Sequence, residues 1–168
     1  MRPIFLLLLL LAAAGCAADD DDSAEEPTPE PTLSGFGTLA ISFGIDEHWR
    51  DGMDEPAVGP FWGTIYRSEQ VTAAGPDDGA EELGSVHVET VDLTGDTLST
   101  DVVFHSGDLP AGWVTILGFL DSDGNSTEED RGPDARDPVT LPNRNEFEVL
   151  SDVESPAQIW FSFLNPSS

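Results

Sequence analysis

Between Asp121 and Asn125 the chain reads Asp-Ser-Asp-Gly-Asn, placing the oxygen-bearing side chains of Asp121, Asp123 and Asn125 at alternate positions. Calcium collects six to eight oxygen ligands from carboxylates, amide carbonyls and backbone carbonyls. The spacing matches the first three ligand positions of an EF-hand loop. The match then stops, because Ser126 stands where that loop needs glycine and Gly132 where it needs glutamate. Any calcium site must borrow carboxylates from further along. Glu128, Glu129, Asp130, Asp134 and Asp137 are on hand, and Glu129 and Asp130 complete the expected set. Seven acids lie between 121 and 137, opposed only by Arg131 and Arg136, so the segment repels itself without a counter-ion. The expectation is calcium held by Asp121, Asp123, Asn125, Glu129 and Asp130. The alternative is a hydrated acidic loop.

A second acidic stretch, Asp46 to Pro56, carries His48 and Trp49 beside carboxylates. It is either a small ligand site or a solvated loop. Gly35 to Ala40, "GFGTLA", has the glycine spacing of a dinucleotide-binding turn. That chemistry needs a strand before it and a helix after it, and an alternating strand pattern follows instead. The histidines, His48, His87 and His105, are scattered, and no Gly-x-Ser-x-Gly elbow or zinc-protease motif is present. No nucleophile and base can be paired by spacing, so a role in binding or structure is expected rather than catalysis. A metal-dependent hydrolase at the acidic loops is one alternative. A carbohydrate-binding module using Trp49 or another exposed aromatic is the other.

The elements that must position these residues read as strands. "GTLAISFGI" alternates, with Leu39, Ile41 and Phe43 on one face. "PFWGTIYR", "GSVHVETVDL", "TLSTDVVFHS", "GWVTILGFLD", "NEFEVLSD" and "QIWFSFLN" follow between turn signals. The run from Trp113 to Leu120 is apolar on both faces, as a central strand is. Trp62 and Trp113 are expected in the core. Only residues 67–75 and 78–83 suggest a helical turn. The expected fold is all-β: an antiparallel β-sandwich of about seven strands over residues 35–168.

Ahead of it, residues 16–34 carry seven acids and three prolines with one large apolar residue, the composition of a disordered tether. Residues 1–15 are one arginine, an apolar run from Ile4 to Ala14 and small residues, the layout of an export signal and too short to span a bilayer. Ala13, Ala14 and Gly15 directly before Cys16 resemble the lipobox of bacterial lipoproteins, in which the cysteine is acylated. That resemblance implies lipidation at Cys16 and membrane attachment through the lipid in the bacterial cell envelope, at the outer membrane. Cys16 is the only cysteine, so no internal disulfide is available. The formal charge of −27, from 33 acids against six arginines and no lysine, excludes nucleic acid as a partner. A protein or carbohydrate ligand is expected instead.

Leu109, Pro110, Gly112 and Trp113 form a Leu-Pro-x-Gly-aromatic turn leading into a hydrophobic strand and then an Asp-rich segment. This resembles the transthyretin-like and carboxypeptidase-regulatory-like β-sandwich domains, with tryptophan in place of the usual tyrosine. The resemblance implies the sandwich fold and a binding or supporting role.

If Cys16 is the acylation site, a labelled fatty-acid analogue is incorporated into the wild-type chain and lost in Cys16→Ala. Equal labelling of the two would refute it.

Overall fold

The computed structural model describes residues 34–166. The signal segment, Cys16 and all but the last residue of the acidic tether lie outside them. The domain is all-β. Its strands are β1 (Phe36–Ile45), β2 (Val58–Arg67), β3 (Val71–Thr72), β4 (Gly75–Pro76), β5 (Glu82–Asp92), β6 (Phe104–His105), β7 (Leu109–Pro110), β8 (Gly112–Leu120), β9 (Pro138–Thr140), β10 (Glu146–Val149) and β11 (Glu154–Leu164).

The alternation read from the sequence sorts these strands correctly: Leu39, Ile41, Phe43 and Ile45 are fully buried, with half-buried residues between them. Nine strands share one sheet in the order β5-β2-β8-β9-β11-β1-β6, with β10 beside β8 and β7 beside β1. β8 is central as expected, bordered by β2 on one edge and by β10 and β9 on the other. Phe61 on β2 meets Phe43 on β1 at 5.0 Å and Phe161 on β11 at 5.8 Å between ring centroids. β2 is a neighbour of neither β1 nor β11 in the sheet, so the sheet curls until its two halves face each other across the core, close to a closed barrel.

Two glycine sites allow this curl. Gly112, at φ 127°, turns the chain from β7, which pairs with β1, into β8, which pairs with β2. Only glycine adopts that conformation without strain. Gly63 and Gly118 face one another across β2 and β8, and a Cβ on either would come within 2.7 Å of the Phe61 ring. A second tie is Asn145, fully buried with every polar atom of its side chain in use. Its amide donates to the carbonyls of Leu141 (2.9 Å) and Trp160 (3.1 Å), and its oxygen accepts from the Trp160 N–H at 2.8 Å. Its own carbonyl accepts from Ile116 N–H at 2.9 Å, so one residue joins β8 to β11.

Several expectations are corrected. β1 and β11 run parallel, Thr38 opposite Glu154 through Ile45 opposite Phe161, so the sheet is not wholly antiparallel. Within the predicted strand 97–106 Phe104–His105 forms a ladder with β1 and Ser99 a single antiparallel bridge to Gly44, where Ile45 N–H donates to the Leu98 carbonyl (2.9 Å) and Thr100 N–H to the Phe43 carbonyl (3.1 Å); the residues between them leave the sheet. Residues 67–75 form a 3-10 turn (Ser68–Gln70) running into the β3–β4 hairpin, and 78–83 form no helix. A one-turn helix, α1 (Glu47–Arg50), sits in the acidic stretch after β1. Trp113 is not in the core: it is 52% exposed, on the outer face of β8 opposite Glu148. Trp62 is also on the outer face, half-buried, because Phe61 and Ile65 take the inward positions of β2.

Candidate functional site

Asp121 follows directly on β8 and is buried, with 1% of its surface exposed. A buried carboxylate must be met by donors, and here the loop's own backbone provides them. Oδ1 accepts from Gly124 N–H at 2.9 Å and Asn125 N–H at 3.1 Å, and Oδ2 accepts from Ser126 N–H at 3.0 Å. Gly124 takes a positive φ of 71° to let the chain wrap around that carboxylate.

Asp137, 2% exposed, does the same at the other end of the loop. Its Oδ1 accepts from Ser122 N–H (3.2 Å) and Ser122 Oγ (3.0 Å), and its Oδ2 from Asp134 N–H (2.9 Å). Asn165, just beyond β11, donates from Nδ2 to the carbonyls of Pro133 (2.7 Å) and Asp134 (2.8 Å). The long loop is therefore closed on itself at both ends, and residues 133–134 are tied to Asn165 at the end of β11.

Of the expected calcium residues, the structure brings Asp121, Asp123 and Asn125 together and adds Asp134 and Asp137. Asn125 Nδ2 donates to Asp123 Oδ2 (2.8 Å) and Asp134 Oδ2 (2.6 Å). A cation between Asp123 and Asp134 needs that amide turned over, so that its oxygen faces the metal. Glu129 and Asp130 are exposed, and no side-chain hydrogen bond ties them to the cluster among the described residues. Among those residues no three acidic or histidine side chains converge as a metal cage.

The second acidic stretch is stitched down rather than open. Arg136 on the long loop donates from Nε to Asp54 at 3.1 Å, and Arg144 pairs with Asp46. Trp49 turns toward β11, 5.6 Å from the Phe163 ring.

The loop also covers part of the outer face of the β5-β2-β8 half-sheet and leaves a cleft of about 390 Å³ beneath it. Trp62 and His87, paired across β2 and β5, stack with centroids 3.8 Å apart at 27°. His87 Nδ1 lies 3.2 Å from the Phe61 carbonyl. A carbonyl only accepts, so Nδ1 is the donor of this bond. Arg131, lowered from the loop, holds its guanidinium carbon 5.4 Å from the Trp62 ring centre. Its Nε donates to the Glu128 carbonyl at 3.1 Å. Thr64 and Ser85 add hydroxyls, and Leu117, Phe119 and Val139 an apolar wall. The Trp62 indole N–H is covered without an acceptor, a state that costs about 1–3 kcal/mol.

Aromatic stack, apolar wall, two hydroxyls and one guanidinium can bind a small ring. They form no nucleophile–base pair: among the described residues the one side-chain hydrogen bond of His87 goes to a backbone carbonyl. The sequence reading passed over Trp62, His87 and Arg131 as a site. The usable signal was strand parity, which puts Trp62 and Thr64 opposite Phe61 and Ile65, and His87 opposite Val86. No family model, curated protein or solved structure matched the chain on comparison.

Burial raises the Asp137 carboxyl above the ordinary carboxylate value, outweighing the hydrogen bonds from Asp134 and Ser122 that lower it; the nearby Asp121 charge adds to the rise. A carboxyl with a raised native pKa binds its proton in the native state before the unfolded chain does. Its contribution to stability is complete below the unfolded pKa and lost as pH rises through the native one. The unfolding free energy of wild type relative to Asp137→Asn should therefore increase between about pH 7 and about pH 4. Denaturant titrations of both proteins at each pH measure it, and a constant or decreasing difference contradicts the assignment.

Proposed function

We propose that this chain is a lipid-anchored protein of the bacterial cell envelope, held at the outer membrane through Cys16, whose β domain binds a ligand and performs no catalysis. We read the domain as a sandwich derivative, as the resemblance to transthyretin-like domains implies; the contact of Phe61 on β2 with Phe43 on β1 and Phe161 on β11 supports the reading. The acidic tether sets the domain off from the membrane. One observation carries the binding reading: the cleft between the outer sheet face and the Asp121–Asp137 loop, where Trp62 and His87 stack under Arg131. Pockets of a few hundred cubic ångströms, mostly apolar with a few convergent polar groups, are where small ligands bind.

Calcium enters as a second contribution, at Asp123, Asn125 and Asp134, and would add order to a loop that Asp121 and Asp137 already hold. The carbohydrate alternative moves with the geometry from Trp49, which packs on Phe163, to Trp62 in the cleft.

A library of small ring-shaped fragments, titrated into isotope-labelled protein, tests the binding reading. Shifts should gather on the Trp62 indole, His87 and Leu117. Hits scattered over the surface, or gathered elsewhere, would defeat the assignment of the cleft.

A further inference from the structure

Arginines are scarce in this chain and nearly all are engaged. Five of the six lie among the described residues. Arg50 bonds the Gly95 carbonyl and lies near Asp51, Arg136 and Arg144 pair with Asp54 and Asp46, and Arg67 donates to the carbonyls of Pro110 and Ala111. Arg131 alone of the five combines two unused terminal nitrogens with no carboxylate partner among the described residues. Its Nε is used, but its two terminal nitrogens have no acceptor among the described residues. Glu128, Glu129 and Asp130 precede it in sequence, yet it pairs with none of their carboxylates and lies over the Trp62 ring.

An unengaged guanidinium fork is matched in geometry by a carboxylate, which it grips through two parallel N–H bonds. Arg131 is the one arginine lining the cleft, so an acidic ligand is drawn to its guanidinium. Below the fork, the apolar wall of Leu117, Phe119 and Val139 and the edge of the Trp62–His87 stack accept a ring. The hydroxyls of Thr64 and Ser85 suit polar substituents on it. Glu128 also lines the cleft and repels negative charge, so the cleft favours a ligand with a single carboxylate placed on Arg131.

From this we infer that the cleft binds a cyclic monocarboxylate, its carboxylate on Arg131 and its ring against Trp62 and the apolar wall. The inference rests on the binding reading of the cleft and adds the ligand's chemistry to it. Two sources share that chemistry, a uronic-acid residue of a saccharide and a free aromatic acid.

The test titrates the full chain in detergent micelles with D-galacturonate and with benzoate, each beside its neutral counterpart, D-galactose and benzyl alcohol. The Trp62 indole N–H resonance is the readout, assigned with Trp62→Phe. At least one acid should shift it and bind about 10- to 100-fold more tightly than its neutral partner, the range one charge-assisted bidentate contact supplies. Arg131→Gln should bring that acid down to the affinity of its neutral partner, and Arg131→Lys should restore part of the loss. A response to galacturonate alone marks a saccharide source, and to benzoate alone an aromatic acid. Should the neutral compounds bind as tightly as the acids, or Arg131→Gln bind like wild type, the carboxylate inference is overturned while the cleft stands. No shift of Trp62 with any of the four compounds overturns it as well. If the fragment library also fails at Trp62, the binding reading falls with it.

Discussion

A carboxylate taken out of water needs donors to replace the water, and Asp121 lies at the end of the central strand with almost no exposed surface. The residues that follow it have one way to meet that requirement. They wrap their N–H groups, from Gly124 to Ser126, around its two oxygens. Asp137 imposes the same condition from the far end of the loop and takes its donors from Ser122 and Asp134. The path of the loop between these two points follows from their needs, and so does the position of Arg131 over Trp62. Of the acids that suggested a metal site, Asp121 and Asp137 anchor the backbone of the loop.

This arrangement also accounts for how an acidic chain tolerates its own charge. Two of the few arginines hold the acidic stretches down: Arg136 joins the long loop to Asp54 of the second stretch, and Arg144 fastens that stretch through Asp46. Such exposed pairs add little stability individually. Their effect here is positional, since Arg136 helps to set the height of the loop above the sheet. Asn165 does the same from the end of β11 without any charge.

Much of the fold was legible in the sequence because period-2 alternation is a local signal: the long strands β1, β2, β5, β8 and β11 all stand where the pattern places them. What was not legible depends on partners far away in the chain. Nothing local tells that β1 finds β11 and runs parallel to it, or that a buried Asn145 closes the gap between β8 and β11. The tryptophans show where residue type misleads. Trp62 and Trp113 were placed inside on their hydrophobicity, whereas parity within their strands puts both on the outer face. For the site, the sequence located the loop and the cluster of Asp121, Asp123 and Asn125. It could not separate a carboxylate aimed at a cation from one aimed at backbone N–H groups, because the two have the same residue spacing.

The carboxylates of Asp121 and Asp137 order the loop by themselves. Amide hydrogen exchange measured in a chelator, with all divalent cations removed, tests it most directly. The amides of Gly124, Asn125, Ser126 and Asp134 should exchange well below the rate of an open chain, and Asp121→Ala should release the first three. If those amides exchange as freely as an unstructured peptide until calcium is added, the ion and not the buried carboxylates holds the loop, and the account is wrong.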